Sequence, residues 1–318
     1  MSTLTVVVPA TDDPPTLERC LGAIRAADAA PEEVVVVRTP SELSASGARN
    51  AGALRATGEV IVFVDADVEV HHDTFRRVRE AFAADGALTA VFGSYDDTPA
   101  HPGVVSRFRN LLHHHVHQQG AGPAETFWTG LGAVRRSAFA AVGGFDEARY
   151  PHPSIEDIEF GDRLAASGAT VVLDPSIQGT HLKAWSLQSM LWTDLARRAV
   201  PWVALQLRTG RLSATLNCGW RHRGSAVAVL VFSLAVAWWA PAVAAGALGA
   251  LVGLNRAFYG LLVRQLGPWN AAVGVLLHVL HHLVAIIAVP IGIGVVAVAF
   301  ASAARSDEPV PATSAAAE

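Results

Sequence analysis

Two carboxylates one residue apart, Asp65 and Asp67, close a short apolar run, Val60–Val64, that opens on Gly58-Glu59. An Asp-x-Asp of this kind can hold a hard divalent cation, which in turn grips phosphate oxygens. A second acidic pair, Glu156-Asp157, follows Ser154-Ile155. Ser154 and Asp157 have the spacing of a capping box, with Asp in place of Glu, so Asp157 could equally serve a helix end. Arg49 lies in Ala48-Arg49-Asn50-Ala51-Gly52, just inside a glycine-rich helix start. A guanidinium there can pair with a diphosphate, and the helix N-terminus adds backbone donors. His113 and His117 stand i, i+4 within Asn110–His117. That spacing can hold zinc, but the run has no Glu and no third ligand is obvious nearby. A helix resting near lipid headgroups, or lining an acceptor path, is the better reading.

The elements around these residues must bring them together. Leu4–Val8, Glu33–Val37, Val60–Val64 and Leu88–Phe92 read as buried strands. Between them lie a helix capped by Thr16 and running to about Ala27, a helical Gly47–Ala56 capped by Ser46, and a helix Asp73–Ala84. Strand–helix alternation of this kind predicts a doubly wound α/β sheet. Ligands sit at the carboxyl ends of strands in such sheets, where Asp65 and Asp67 fall. Further on, a helix runs from Ser154 to about Ala166. A strand Thr170–Leu173 and a turn Asp174–Gly179 then lead to His181.

The order strand–Pro, helix, strand, Ala-Arg-Asn-Ala-Gly, strand, Asp-Ala-Asp resembles the donor half of the family 2 glycosyltransferases, of the GT-A fold. Gly143-Gly144-Phe145-Asp146-Glu147, Glu156-Asp157 and Thr180-His181 are similar to later motifs of that family, and the likeness covers about Thr3–His181. It implies a Rossmann-like mixed sheet with flanking helices that binds a nucleotide-sugar donor. Pro9, Ala10, Asp12, Arg49 and Asp65 would contact that donor. Asp67 would be the chief ligand of a Mg²⁺ or Mn²⁺ ion, with Asp65 on the ribose or a metal-bound water and His181 approaching the same metal. Asp157 would be the general base, with Glu156 orienting that end of the site. Trp128 and Gly130, in Phe127-Trp128-Thr129-Gly130, would face the acceptor. Plainer readings stand beside these: Arg49 as a surface arginine, His181 as a loop histidine, Trp128 as an aromatic packed under the sheet.

Two stretches depart from the family pattern. The second strand leads into Arg38-Thr39-Pro40-Ser41, where the family usually has an Asp-rich turn that reads the base. Base recognition then falls to other groups, the Pro9–Asp12 loop among them, or is looser. Arg197-Arg198-Ala199-Val200-Pro201-Trp202 occupies the place where processive relatives, such as cellulose and hyaluronan synthases, keep a Gln-x-x-Arg-Trp segment. It is not that motif and implies no polymer synthesis. Arg197, Arg198 and Trp202 are expected to close the acceptor site.

Composition sets the setting. Of 318 residues 51% are hydrophobic and only 16% charged, with mean hydropathy +0.33, too apolar for a purely soluble enzyme; the excess follows Ser225. A net charge of −4 gives no reason to expect a nucleic-acid partner. Cys20 and Cys218 stand in unrelated contexts, which fits a reducing compartment. The N-terminus has no basic region or long apolar stretch, so no cleavable signal is expected.

Residues 1–184 thus read as a cytosolic catalytic domain. Residues 185–223 read as amphipathic interfacial helices, because aromatics and arginines alternate at helical spacing. Residues 224–302 read as an α-helical transmembrane region of about three spans, near 225–240, 241–254 and 271–301. Residues 303–318 read as a disordered tail. His278, His281 and His282, the ionisable groups of the last span, are expected toward an interface or the protein-facing side. Arg221 and Arg223 flank the first span and place the catalytic side in the cytosol.

The expectation is a multi-pass, metal-dependent, inverting glycosyltransferase of the cell (inner or plasma) membrane and cell envelope. It would transfer to a hydroxyl of a lipid or lipid-linked acceptor, with no firm protein partner. The alternatives are transfer onto polyprenyl phosphate, or a non-catalytic membrane subunit that retains the fold.

Overall fold

Apolar, β-branched runs alternate with amphipathic helices through the first half of the chain, and they build one mixed sheet. The structure, a computed structural model, describes residues 2–212, 216 and 219–306. In order come β1 (Leu4–Pro9), α1 (Leu17–Ala26), β2 (Glu33–Val37), α2 (Ala45–Arg55), β3 (Val60–Val64), β4 (Val68–Val70), α3 (Thr74–Ala84) and β5 (Leu88–Tyr95). Then follow α4 (Val104–Gln119), β6 (Gly122–Pro123), β7 (Leu131–Arg135), α5 (Arg136–Ala141), α6 (Glu156–Ala166) and β8 (Thr170–His181). The strand order is β2-β1-β3-β7-β5-β8-β4, with β6 pairing on β8. β1, β2 and β3 are parallel; β7 enters antiparallel between β3 and β5. The fold is thus a mixed α/β sheet with flanking helices.

β3 is the hydrophobic axis. All five of its side chains have no exposed surface, and each contributes about 1.5–3 kcal/mol by leaving water. Helices close both faces. Leu17, Leu21 and Ile24 of α1 and Phe75, Val78 and Phe82 of α3 cover one; on the other, Phe139 and Phe145 pack against Phe63, and Phe160 packs against both of them.

Four local expectations are corrected. Ser44, not Ser46, caps α2: its hydroxyl accepts from Gly47 N at 3.1 Å, so the helix starts two residues earlier. Thr16 precedes α1 without a side-chain cap. Asp174–Gly179 is strand, not turn, because β8 keeps pairing through it, with β5 across a bulge and then with β4. Gly93 permits this: a side chain there would meet the Ile177 carbonyl. β5 likewise runs on past Phe92 to Tyr95.

Beyond the sheet come α7 (Leu187–Trp192), a π-helix (Thr193–Ala199), α8 (Val200–Thr209), α9 (Trp220–Ala237), α10 (Pro241–Leu254) and α11 (Arg256–Ser306). Within residues 185–223, expected to form amphipathic interfacial helices, α7 and α8 are joined through the π-helix. α9 and α10 form a hairpin around Trp238-Trp239-Ala240. α11 bends at Gly267-Pro268, where Gly267 adopts φ 74°. Among the described residues one helix, Arg256–Ser302, is long and apolar enough to cross a membrane, and α10 is a shorter apolar helix. That is one candidate anchor where about three spans were expected. The tail and Cys218 lie outside the described residues, except that 303–306 continue α11.

Candidate active site

The carboxyl edge of β3 and the start of α6 open onto one cleft of about 200 Å³. Asp65, Asp67, Glu156, Asp157, Arg49, His181, Trp128, Arg197 and Arg198 all line it. Two carboxylates far apart in sequence thus share a cavity.

Arg49 is the organiser. Gly52 lets α2 lie close on β1, since a side chain there would strike Val7. Asn50 locks the helix from its other side. Its amide donates to Phe145 O and accepts from Phe145 N, both at 2.9 Å, across the Gly143-Gly144 turn. Both glycines have positive φ, +80° and +67°, which other residues rarely adopt. So placed, the Arg49 guanidinium is 4% exposed and bridges Asp65 at 2.6 Å and Glu156 at 3.0 Å. Burial opposes its charge, but Asp65 and Glu156 outweigh that and raise it above its ordinary value. It is not a surface arginine.

Asp67 is placed by sheet register. β4 pairs with β8 so that Val68 faces His181, and Leu182 N donates to Asp67 O at 2.8 Å. His181 Nε2 and the Asp67 carboxylate then approach to 3.7 Å. Burial opposes Asp67's charge, yet His181 and Lys183 outweigh it and hold the carboxyl below its usual range. Tyr95, at the end of β5, stacks on the His181 ring at 4.2 Å and contacts Trp128 at 4.8 Å, edge-on. His181 is therefore a fixed ring on a strand rather than a loop histidine. An oxygen and an imidazole converging at this distance suit a divalent cation completed by phosphate oxygens and water. Among the described residues no cluster of three His, Cys, Asp or Glu is preassembled as a metal site, so remaining ligands would have to arrive with the substrate.

Asp157 does not play the capping role its spacing allows. α6 starts after Ile155, and the Ser154 hydroxyl donates instead to Arg197 O at 2.7 Å. One Asp157 oxygen accepts from Ile158 N at 2.9 Å; the other faces Thr129 N at 3.4 Å. Burial and then the neighbouring Glu156 push its carboxyl up to about 6, against the pull of Arg49 and Arg198. A carboxylate poised there can accept a proton near neutral pH.

The remaining expected residues are distributed more widely. Pro9 and Ala10 sit at the same sheet edge as Asp65, since β1 runs parallel to β3, but neither they nor the exposed Asp12 line the cleft. Gly130 lies beneath the Trp128 ring, and its carbonyl accepts from Asp65 N at 3.2 Å. Trp202 lies off the cleft, on the wall of a neighbouring apolar groove. His113 lines the cleft, whereas His117 is buried against Gly93 O at 2.9 Å.

Sequence reasoning missed Tyr95, Lys183, Arg109 and Asp194. Arg109 pairs with Asp194 at 2.5 Å, and Asp194 also contacts His281 Nδ1 at 3.1 Å. Burial opposes the charge on Asp194, but Arg109 and His281 hold its carboxyl low. His281 belongs to α11, so the apolar helix reaches the cleft. His278 and His282 are buried, which bears out the protein-facing reading.

Comparison with known proteins agrees with this geometry. Residues 25–143 match the family model described as Glycosyl transferase family 2, so the resemblance read from the sequence is borne out over that segment. The chain is similar to the N-acetylglucosaminyl-diphospho-decaprenol L-rhamnosyltransferase of Mycobacterium tuberculosis, in strains CDC 1551 and H37Rv alike, 49% identical over 53 residues. That match spans only 17% of this chain and 17% of the relatives' length. Among solved structures it is similar to the mannosyltransferase PcManGT from Pyrobaculum calidifontis, in complex with GDP-Man and Mn²⁺. The TM-score is 0.55 at 18% identity, over 91% of this chain and 87% of that one. The likeness shows the fold: a GT-A-like glycosyltransferase fold, followed here by an apolar helix consistent with membrane anchoring.

Proposed function

We propose that this chain is an inverting, metal-dependent glycosyltransferase. It moves a sugar from a nucleotide-sugar donor to a hydroxyl of a lipid-linked acceptor at the cytosolic face of a membrane. The observation that carries the reading is that Asp67 and Asp157 open onto one cleft with Arg49 between their partners. The donor's diphosphate lies along the Asp65–Asp67 edge. Asp67 and His181 would hold a Mg²⁺ or Mn²⁺ ion, which supplies charge neutralisation to the leaving diphosphate when bound. Arg49 fixes Asp65 and Glu156 so that the two edges keep their separation. Asp157 takes the proton from the acceptor hydroxyl as that oxygen bonds to the anomeric carbon. The bond from that carbon to the diphosphate oxygen breaks on the opposite side, so configuration inverts.

The donor class draws support from the GDP-Man complex of the similar mannosyltransferase, and the acceptor class from the diphospho-decaprenol in the name of the mycobacterial relatives. Arg221 and Arg223, before the apolar helices, support the cytosolic orientation. The boundaries 1–184, 185–223 and 224–302 remain our division of the chain, and the number of crossings is part of the same proposal.

The test is release of nucleoside diphosphate by the purified full chain, with Mn²⁺, acceptor lipid and a panel of nucleotide sugars. Release with one donor, abolished by chelation, is expected. No release with any donor at adequate lipid would overturn the assignment. A second reading, transfer onto a lipid phosphate, is favoured by Arg197 and Arg198, which have no carboxylate in ion-pair range among the described residues. An acceptor that is already an anion needs no base, so Asp157→Asn would then turn over normally.

A further inference from the structure

Beside the cleft lies an apolar groove of about 570 Å³, within the range of small-molecule sites. Ile158 of α6, Arg198 of the π-helix, Trp202 of α8, Val227 of α9, and His281 and Val289 of α11 line it. Three features tie it to the chemistry. Arg198 and His281 line both the groove and the cleft. Ile158 is next to Asp157, so one turn of α6 faces the cleft with its carboxylate and the groove with its neighbour. Away from the cleft, the groove runs between helices that carry bare apolar side chains outside its lining, Val236 at 56% and Ile287 at 51% exposure among them.

The junction has a distinct character. Arg198 is presented there by a π-helix, a rare geometry often found at functional sites. No carboxylate among the described residues lies in ion-pair range of it. Asp194, also on the groove wall, is held by Arg109 and His281. An apolar channel that ends on a guanidinium without a direct ion-pair partner fits a molecule with a hydrocarbon tail and an anionic head.

We propose that this groove is the lipid site of the acceptor. The hydrocarbon chain lies between α8, α9 and α11, and its phosphate meets Arg198 where groove and cleft join. This rests on the glycosyltransferase reading for the chemistry that follows, but its test does not use sugar transfer.

The probe is a benzophenone-tagged farnesyl diphosphate, cross-linked to the detergent-solubilised full chain and mapped by peptide mass. Labels on Trp202–Gln206 and Val284–Val289 are expected, together with competition by untagged farnesyl phosphate and not by inorganic diphosphate. Ala226→Trp and Ala285→Trp, which place an indole in the groove, should each reduce labelling at least tenfold. Leu248→Trp, on the exposed face of α10, should leave it unchanged, and unfolding midpoints without ligand identify any variant that has merely lost its fold. Labelling confined to the outer faces of α9 and α10, labelling undiminished in folded Ala285→Trp, or displacement by inorganic diphosphate alone would overturn the site. Nucleoside diphosphate release would survive any of those results, and its own failure would leave the cross-link intact, so the two proposals fail separately.

Discussion

The strand end Asp65–Asp67 and the helix start Glu156–Asp157 are built alike and tuned oppositely. In each, one carboxylate is given to Arg49: Asp65 at 2.6 Å, Glu156 at 3.0 Å. In each, the other faces the cleft. Against the cost of burial, Asp67 is held low by His181 and Lys183. Asp157 is pushed up to about 6 by burial and by Glu156. One carboxylate stays ionised and suits a cation; the other exchanges a proton near neutral pH. Two different surroundings, His181 and Lys183 at one edge and burial beside Glu156 at the other, thus separate two roles that sequence alone would give equally to either pair.

The largest way to break the comparison is Asp157→Asn. Turnover should fall by about 10²–10⁴-fold, measured as nucleoside diphosphate release, while metal-dependent donor binding persists. The same variant should be more stable. A folded value near 6 against an ordinary 3.8 means the folded state binds this proton more tightly than the unfolded one. That contribution is complete below about pH 4 and lost as pH rises through 6. At pH 7 the ionised carboxylate therefore costs about 1–2 kcal/mol, after discounting for water in the cleft. A loss of both stability and activity would show that Asp157 is structural.

Removing the shared arginine should widen the distinction, because Arg49 pulls the Asp157 carboxyl down against burial and Glu156. Arg49→Met leaves the buried Glu156 and the half-buried Asp65 without their counter-charge, at about 3–5 kcal/mol by chemical denaturation. A pH profile sharpens the tuning: activity should drop about tenfold per unit below pH 6, where Asp157 is protonated. The smallest effect is at the clasp that aims Arg49. Asn50→Ala removes both hydrogen bonds to Phe145 and should cost about 1–3 kcal/mol, raising KM for the donor more than it lowers kcat.

Much of this was legible in the sequence because it is local. An uninterrupted apolar run can only be a central strand, and Asp-x-Asp at its end can only face the sheet edge. What stayed hidden depends on distant packing. β8 continues through Asp174–Gly179 because Gly93 lets a carbonyl approach, which no property of the segment itself reveals. Ser44 and Ser46 are equally good caps, and the choice is made by where α2 docks. The π-helix exists within a run whose composition reads as ordinary amphipathic helix. His281 sits in an apolar stretch remote from the motifs, yet α11 brings it to Asp194 and the cleft.

The most direct measurement is a thermal shift with Mn²⁺ and nucleotide sugars, on the wild-type chain, Asp67→Asn and Asp157→Asn side by side. The account predicts a rise of several degrees in wild type that needs both the metal and one particular donor, lost in Asp67→Asn and kept in Asp157→Asn. An equal shift in Asp67→Asn, or one indifferent to the metal, would contradict the division of labour between the two edges of the cleft.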